Sequence, residues 1–275
     1  MPDTDPTSAK LAALEAVLLA HRPLLIAYSG GVDSSYLLAF ARQTLGRDGM
    51  LGVIADSPSL PRQGLAAALE LARSLDAPVE VLPTGEMENA EYVSNPFNRC
   101  YFCKSELFAR MDALAGQRGF AALAYGENAE DPADTRPGSQ AARQFAVLAP
   151  LRQAGLTKAE IRELSRAMGL PTADAPSQPC LSSRIPFGTP VTREALAMVE
   201  AGEALVRGLG FRVLRVRHLV DGDGSPRARV QVACEEMDRL PPLQAKLEAG
   251  LLAVGYAAVE IDPQGYRITE MPSGK

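Results

Sequence analysis

Leu24-Leu25-Ile26-Ala27-Tyr28, then Ser29-Gly30-Gly31-Val32-Asp33-Ser34-Ser35, then Tyr36 to Leu45 is the stretch whose reading decides the fold. An unbroken apolar run reads as a strand buried on both faces. Two glycines interrupt it, and Val32 to Leu45 resumes with Tyr36, Leu37, Phe40 and Leu45 spaced for the buried side of a helix. Strand, glycine turn and helix in that order bring free N–H groups and the positive end of a helix dipole to one point, which attracts phosphate. Gly30 and Gly31 let backbone amides approach an anion, and the hydroxyls of Ser29, Ser34 and Ser35 add donors. Asp33 is placed to hold a metal that neutralises polyphosphate. A merely tight turn would need one glycine and no serine cluster. No Gly-Lys-Ser/Thr follows, so the loop is not of the Walker type.

Outward from this loop the unit recurs. A helix over Leu11 to Leu19 precedes it and ends at Pro23. Strands at Leu51 to Ala55, Val79 to Leu82 and Phe120 to Tyr125 alternate with helices at Arg62 to Leu75 and Ser105 to Ala115, the pattern of an α/β fold with a parallel sheet. A polar loop from Gly126 to Gln140 follows, long enough to suggest function. Thr157-Lys158-Ala159-Glu160 has the spacing of a capping box, with Ile161, Leu164 and Met168 as the buried stripe behind it and a stop near Gly169. Pro171 to Pro190 holds five prolines and reads as a linker crossing an active site. Beyond it, helices at Thr192 to Leu209 and Glu235 to Leu247 and strands at Val213 to Val220, Ala228 to Ala233 and Tyr256 to Ile261 describe a small α+β domain. Two domains are expected, residues 1–185 and 190–275. There is no internal repeat.

At 275 residues, 47% apolar and 22% charged, the chain has ordinary globular composition. A net charge of -5 argues against a surface that grips nucleic acid over a wide area. The longest apolar stretch, Leu11 to Tyr28, is broken by Glu15, His21, Arg22 and Pro23, so no membrane span is expected. Met1 to Lys10 shows no secretory pattern, and a cytoplasmic location is expected. In that compartment four cysteines do not describe a disulfide scaffold.

Cys100 and Cys103 form Cys-x-x-Cys in Asn98-Arg99-Cys100-Tyr101-Phe102-Cys103-Lys104, a pattern compatible with zinc, redox exchange or chance. Cys180 stands in Gln178-Pro179-Cys180-Leu181-Ser182-Ser183-Arg184. Three thiolates without a nearby fourth suit an iron–sulfur cluster with one open iron better than a closed zinc site. Cys234, in an expected strand, reads as a small core residue.

Ser29 to Ser35 resembles the pyrophosphate loop, Ser-Gly-Gly-x-Asp-Ser, of the N-type ATP pyrophosphatases. That resemblance implies ATP cleaved at its α-phosphate, with the loop holding pyrophosphate and Asp56, after the next strand, near the adenosine. Nearly the whole chain resembles the LarE family of ATP-dependent sulfur transferases, which help to build the nickel-pincer nucleotide cofactor. The segments that carry the likeness are Ser29 to Ser35, Asn98 to Lys104, Gly126-Glu127-Asn128-Ala129-Glu130-Asp131, Arg136-Pro137-Gly138, Pro150 to Pro171, Cys180 to Gly188 and Arg215-Val216-Arg217-His218.

The resemblance implies a pyridinium dicarboxylate mononucleotide as substrate, ATP and Mg2+ as co-reactants, and sulfur displacing AMP from an acyl-adenylate. It assigns Ser29, Gly30, Gly31, Val32, Asp33, Ser34, Ser35, Asp56 and Gly126 to ATP. Glu127, Ser183, Arg184, Arg215 and Arg217 fall to the substrate, Asp33 and Cys180 to catalysis. Members with all three cysteines resemble cluster enzymes, so Cys100, Cys103 and Cys180 are expected to hold a 4Fe-4S cluster. Members without the pair sacrifice the sulfur of the cysteine matching Cys180. A homo-oligomer is implied, its contacts and substrate phosphate site in the smaller domain, and the sulfide donor is not indicated. Ala173 stands where the family often has tryptophan and Gln231 where an acidic residue is common.

Two other readings share the loop. A tRNA thiolation enzyme would need a basic surface or appended basic domain, which the composition does not offer. A non-catalytic ATP-binding redox sensor would use the same residues and release no pyrophosphate.

Overall fold

The computed structural model describes residues 6–132, 136–176 and 178–266. These divide into two units. The first runs to Tyr92 and resumes from Phe97 to Gln178; the second comprises Val93–Pro96 and the chain from Pro179 onward.

In the first unit, α1 (Pro6–Ala20), β1 (Leu24–Ala27), α2 (Val32–Leu45), β2 (Met50–Asp56), α3 (Arg62–Ser74) and β3 (Val79–Pro83) follow in turn. Next come α4 (Ala90–Val93), whose last residue passes into the second unit, α5 (Arg99–Arg118), β4 (Ala122–Tyr125), α6 (Pro137–Gln144), α7 (Pro150–Gln153) and α8 (Lys158–Ala167). The four strands form one parallel sheet in the order β3-β2-β1-β4. The apolar run of β1 is buried on both faces: Leu24 and Ile26 join α2 in one core layer, while Leu25 joins Phe108 and Met111 of α5 in the other. Crossovers from β1 run to one side and the strand after β3 returns to the far side, so the order reverses between β1 and β4. At such a switch point the carboxyl ends of two neighbouring strands open a crevice for ligands. Here those ends carry Ser29 to Ser35 and Gly126-Glu127.

In the second unit, a short 3-10 turn at Leu181–Arg184 precedes α9 (Arg193–Gly208), β5 (Leu214–Val220), β6 (Pro226–Val232), α10 (Gln244–Val254) and β7 (Ala258–Ile261). β5 and β6 are an antiparallel pair and β7 adds in parallel to β6. Leu214, Val216, Val230 and Val232 pack with Val206 of α9 and Leu247 and Leu251 of α10 as the core. The Val93–Pro96 segment is sewn into this unit: Asn95 is fully buried, its amide donates to Pro186 O and Thr189 O at 2.8 Å each, and Val191 N donates to Val93 O.

Two expectations are corrected here. The helix expected over Glu235 to Leu247 is two 3-10 turns, Cys234–Arg239 and Pro241–Leu243, before α10. Pro241 and Pro242 supply no N–H to carry an α-helix through. Cys234 is exposed at the start of the first turn, neither in a strand nor in the core. Among the described residues no helix is long and apolar enough to cross a membrane.

Candidate active site

Gly30 adopts φ +74°, and a Cβ there would lie 2.9 Å from Ala68 Cβ on α3. Both facts demand glycine. The turn is fixed by Ser34, whose Oγ lies 3.0 Å from Ser29 Oγ, accepts from Ser29 N at 3.2 Å and sits 3.1 Å from Gly31 O. No side chain caps the amino terminus of α2, which begins behind Gly31. Val32 is buried and anchors the turn in the core beneath. Ser35 Oγ is buried with no hydrogen-bond partner among the described residues. Tyr28, whose hydroxyl donates to Ala68 O, has its pKa raised by burial, with the nearby Ser35 hydroxyl opposing.

From the neighbouring strand end, Gly126 presses against this turn. A Cβ on it would meet Ser34 N at 2.8 Å, Ser34 Cα at 2.9 Å and Asp33 C at 3.0 Å. Only a residue without a side chain lets β4 bring its loop against the start of α2. Asp33 is part-buried: Oδ2 lies 2.5 Å from Lys158 Nζ of α8, and Oδ1 is buried without a hydrogen-bond partner among the described residues. Asp56, at the end of β2, is ion-paired at 2.5 Å with Arg62, which also donates to Ser57 O.

Beside the crevice lies a second polar group. Glu127 is buried, accepts from Ser139 Oγ, and has Arg152 Nη1 at 3.6 Å. Lys104 of α5 packs its stem on Gly138 and holds Nζ 4.7 Å from the Tyr125 ring centroid. Burial, followed by repulsion from Arg136, lowers the Lys104 pKa, opposed by the negative ends of Glu127, Cys100 and Cys103. Asn128 and Asp131 turn the loop onto itself, with Asn128 N donating to Asp131 Oδ2. Residues 133–135 of this loop lie outside the described residues.

Cys100 and Cys103 occupy the first turn of α5, three residues apart and therefore on one face. Asn98 precedes them without a side-chain cap. No described cysteine forms a disulfide. Two unbridged thiols at that spacing fit as ligands of a soft metal centre. Within either unit, among the described residues, no three His, Cys, Asp or Glu side chains are gathered at metal-binding distance.

Cys180 belongs to the second unit, at the amino end of the Leu181–Arg184 turn, half-buried. Arg184 makes that turn. Its Nε and Nη2 form a bidentate ion pair with Glu203 of α9 at 2.8 and 3.1 Å, and its Nη1 donates to Pro179 O, Cys180 O and Ser183 Oγ. Both partners are buried, at 3% and 2% side-chain exposure. Arg215 and Arg217 share the sheet face opposite the core, as the alternation predicts. Arg217 donates to Ser183 O at 2.9 Å and to Gln231, and Arg215 lies over the Tyr266 ring. Burial, then the like charge of Arg184, pulls both pKa values down. Gln231 accepts from Arg217 and donates to Asp262 Oδ2 at 2.7 Å, a bridge between cation and carboxylate that an amide can make and an ionised carboxylate cannot. Ala173 is buried and its carbonyl accepts from Arg162.

Three residues carry structure here that the sequence did not single out: Lys158, Lys104 and Glu203. Lys158 stands in a capping box whose spacing explains it as helix structure, Lys104 follows the cysteine pair at a position that no motif marks, and Glu203 resembles a surface partner of Arg207 four residues on.

A parallel sheet bearing a serine- and glycine-rich anion turn at its switch point, without a Walker lysine, defines the PP-loop ATP pyrophosphatase class. No family model matches the chain. It is 38% identical over 245 residues to an uncharacterized protein of Synechocystis, covering 88% of this chain and 89% of that one. Over 262 residues, 95% of this chain and 93% of the relative, it is 29% identical to the pyridinium-3,5-bisthiocarboxylic acid mononucleotide synthase of Lactiplantibacillus plantarum. A 61-residue match, 34% identical, to a glutamine-dependent NAD(+) synthetase of Synechocystis covers 22% of this chain and 11% of that protein. The chain belongs to the LarE family of ATP-dependent sulfur transferases.

Proposed function

We propose that this enzyme adenylates the carboxylates of pyridinium-3,5-dicarboxylate mononucleotide and converts them to thiocarboxylates for a nickel-pincer nucleotide cofactor. The observation that carries the ATP half is the turn at Ser29 to Ser35: a left-handed Gly30, an uncapped helix end, and an Asp33 oxygen left over for a cation. ATP lies with its phosphates on this turn and its nucleoside toward Asp56. Asp33, with its spare buried oxygen, fits as the Mg2+ ligand. A substrate carboxylate oxygen attacks the α-phosphorus, the bond to the β-phosphate breaks, and pyrophosphate leaves toward the turn. The amides of α2 and the hydroxyls of Ser34 and Ser35 stabilise the charge that gathers there.

Arg215 and Arg217 hold the mononucleotide phosphate, with Ser183 between them and the Cys180 turn. Arg184 does not reach substrate in this scheme; it fixes the carbonyls of Pro179 and Cys180, so that the thiol is presented in one orientation. Glu127 and Lys104 orient the acyl group. A sulfur nucleophile attacks the acyl carbon, the carbon–oxygen bond to AMP breaks, and the sulfur sheds its proton to solvent. Cys100, Cys103 and Cys180 are the residues that would hold a 4Fe-4S cluster, which would supply transferable sulfide when bound. Homo-oligomer formation through the second unit belongs to the same proposal.

The test is pyrophosphate release by anaerobically reconstituted protein given ATP, Mg2+ and the mononucleotide. Release that requires the mononucleotide supports the reading. Release that requires bulk tRNA instead, or none under any condition, overturns it. Iron analysis of the same sample against Cys100→Ala and Cys180→Ala checks the cluster: iron and acid-labile sulfide in the parent and a loss in both variants are expected.

A further inference from the structure

After β7 the chain makes a tight turn that places one aromatic side chain. Asp262 N donates to Val230 O as a last rung beside β6, Asp262 Oδ1 accepts from Gln264 N at 2.9 Å, and its carbonyl accepts from Gly265 N at 3.1 Å. Gly265 adopts φ +67°, and a Cβ there would lie 3.0 Å from Val232 O and 3.2 Å from Cys234 Sγ. A side chain at that position meets both a strained backbone and a neighbour. The next residue, Tyr266, donates its amide to Val232 O at 2.6 Å and bridges in parallel to Ala233. Ala233 lies two residues beyond Gln231, the cross-strand partner of Arg215. Residues two apart along a strand share a face, so the turn delivers the Tyr266 ring to the face that carries Arg215, Arg217 and Gln231.

What the ring does there is set by charge. The Arg215 guanidinium lies 4.7 Å from its centroid, while Arg215 Nη1 donates to Leu214 O at 2.6 Å. Burial, then the like charge of Arg184, lowers the Arg215 pKa, with Arg217 adding to the crowding. A crowded guanidinium turns away from its neighbours unless something electron-rich lies behind it. The negative face of an aromatic ring meets that need without forming an ion pair, so the whole positive charge stays available to an anion. A carboxylate in the same place would compete with a phosphate for it. Gln231 does the equivalent for Arg217, accepting from its Nε through an amide oxygen, and the Asp262 that holds Gln231 also opens the turn to Tyr266. One turn therefore serves both arginines.

We infer that Tyr266 is a positioning residue for mononucleotide recognition: its ring face holds the Arg215 guanidinium in the orientation that meets the substrate phosphate, without cancelling its charge. This rests on the reading of Arg215 and Arg217 as the phosphate site and extends it to a residue beyond β7. Tyr266 acts through Arg215 and does not itself touch substrate. The ring carries the role, and the hydroxyl does not.

The experiment is steady-state pyrophosphate release by anaerobically reconstituted full chain, with mononucleotide and Mg2+-ATP varied in turn. The variants are Tyr266→Leu, Tyr266→Phe, Arg215→Met, and Arg215→Met combined with Tyr266→Leu. Loss of a desolvated cation–π contact predicts a mononucleotide KM about 10- to 30-fold higher in Tyr266→Leu. Its kcat and its KM for ATP should stay within about threefold of the parent's, as for a lost binding contact. Tyr266→Phe keeps the ring face and should match the parent within about threefold in every constant. With Arg215 gone there is nothing to position, so adding Tyr266→Leu to Arg215→Met should raise the mononucleotide KM by less than about twofold more. An unchanged mononucleotide KM in Tyr266→Leu, an equal rise in the KM for ATP, an equal loss in Tyr266→Phe, or additive losses in the double variant overturns the inference and leaves the arginine reading intact. A mononucleotide KM that Arg215→Met leaves unchanged, or a parent with no mononucleotide-dependent release, overturns both.

Discussion

Glu203→Ala tests how the second unit holds the Cys180 turn. The change removes the carboxylate paired with Arg184, which is 3% exposed and lies close enough to Arg215 and Arg217 for its charge to pull their pKa values down. Breaking a buried pair by deleting one member costs about 3–5 kcal/mol, because the remaining charge stays desolvated. The carboxylate also accepts from Val216 N at 3.3 Å, which adds a stranded backbone donor. A unit of about 100 residues loses about 4–8 °C of Tm per kcal/mol, so its melting, followed by far-ultraviolet circular dichroism, should fall by at least about 12 °C. The paired replacement Arg184→Met with Glu203→Leu removes both charges. It should recover most of that stability, since apolar residues of similar volume replace buried ion pairs at little cost. It should not recover sulfur transfer, because nothing then holds Pro179 O and Cys180 O. A loss below about 1 kcal/mol in Glu203→Ala, or a fully active paired variant, would refute the argument that this ion pair builds the turn.

Gly126→Ala places a methyl 2.8 Å from Ser34 N, against backbone that cannot rotate away. About 1–3 kcal/mol of stability should be lost to overpacking, and affinity for a Mg2+-ATP analogue should fall about tenfold or more by calorimetry. Glu160→Gln weakens the cap of α8 by about 1 kcal/mol at neutral pH. Lys10, then the Thr157 amide, holds the Glu160 carboxyl at about 2 against an ordinary 4.5. Folded protein therefore binds fewer protons than unfolded protein between those values, and the stabilisation is complete above pH 4.5 and lost as pH falls through about 2. Urea midpoints of parent and variant should differ at pH 7 and converge near pH 2. Gly30→Ala combines a left-handed backbone with a 2.9 Å approach to Ala68, so it should cost more than about 1 kcal/mol by the same denaturation assay.

What the sequence made legible was local. The apolar run of β1, the Gly30-Gly31 break and the Thr157-Glu160 box each state their structure within a few residues, and α2 spans Val32–Leu45 as the spacing predicts. Where local signals were weak, the reading stopped short. α5 starts at Arg99, not Ser105, since Asn98 provides no cap and the first turn carries the cysteines. Val93–Pro96 joins the second unit through Asn95, a single buried amide that no periodicity marks. Charge pairs were the least legible part. Asp33 with Lys158 and Arg184 with Glu203 depend on which elements the fold brings together, and a lone residue does not say whether its charge meets solvent or a partner. Gln231 shows the converse: an amide that no local pattern explains becomes intelligible once Arg217 and Asp262 are seen on either side of it.

The most direct measurement follows one atom. Mononucleotide whose carboxylates carry heavy oxygen is incubated with anaerobically reconstituted protein, ATP and Mg2+, and the nucleotide products are weighed by mass spectrometry. Attack of the carboxylate on the α-phosphorus predicts AMP bearing one heavy oxygen for every sulfur that enters the substrate, together with pyrophosphate. Unlabelled AMP, or ADP and inorganic phosphate in its place, would contradict the account.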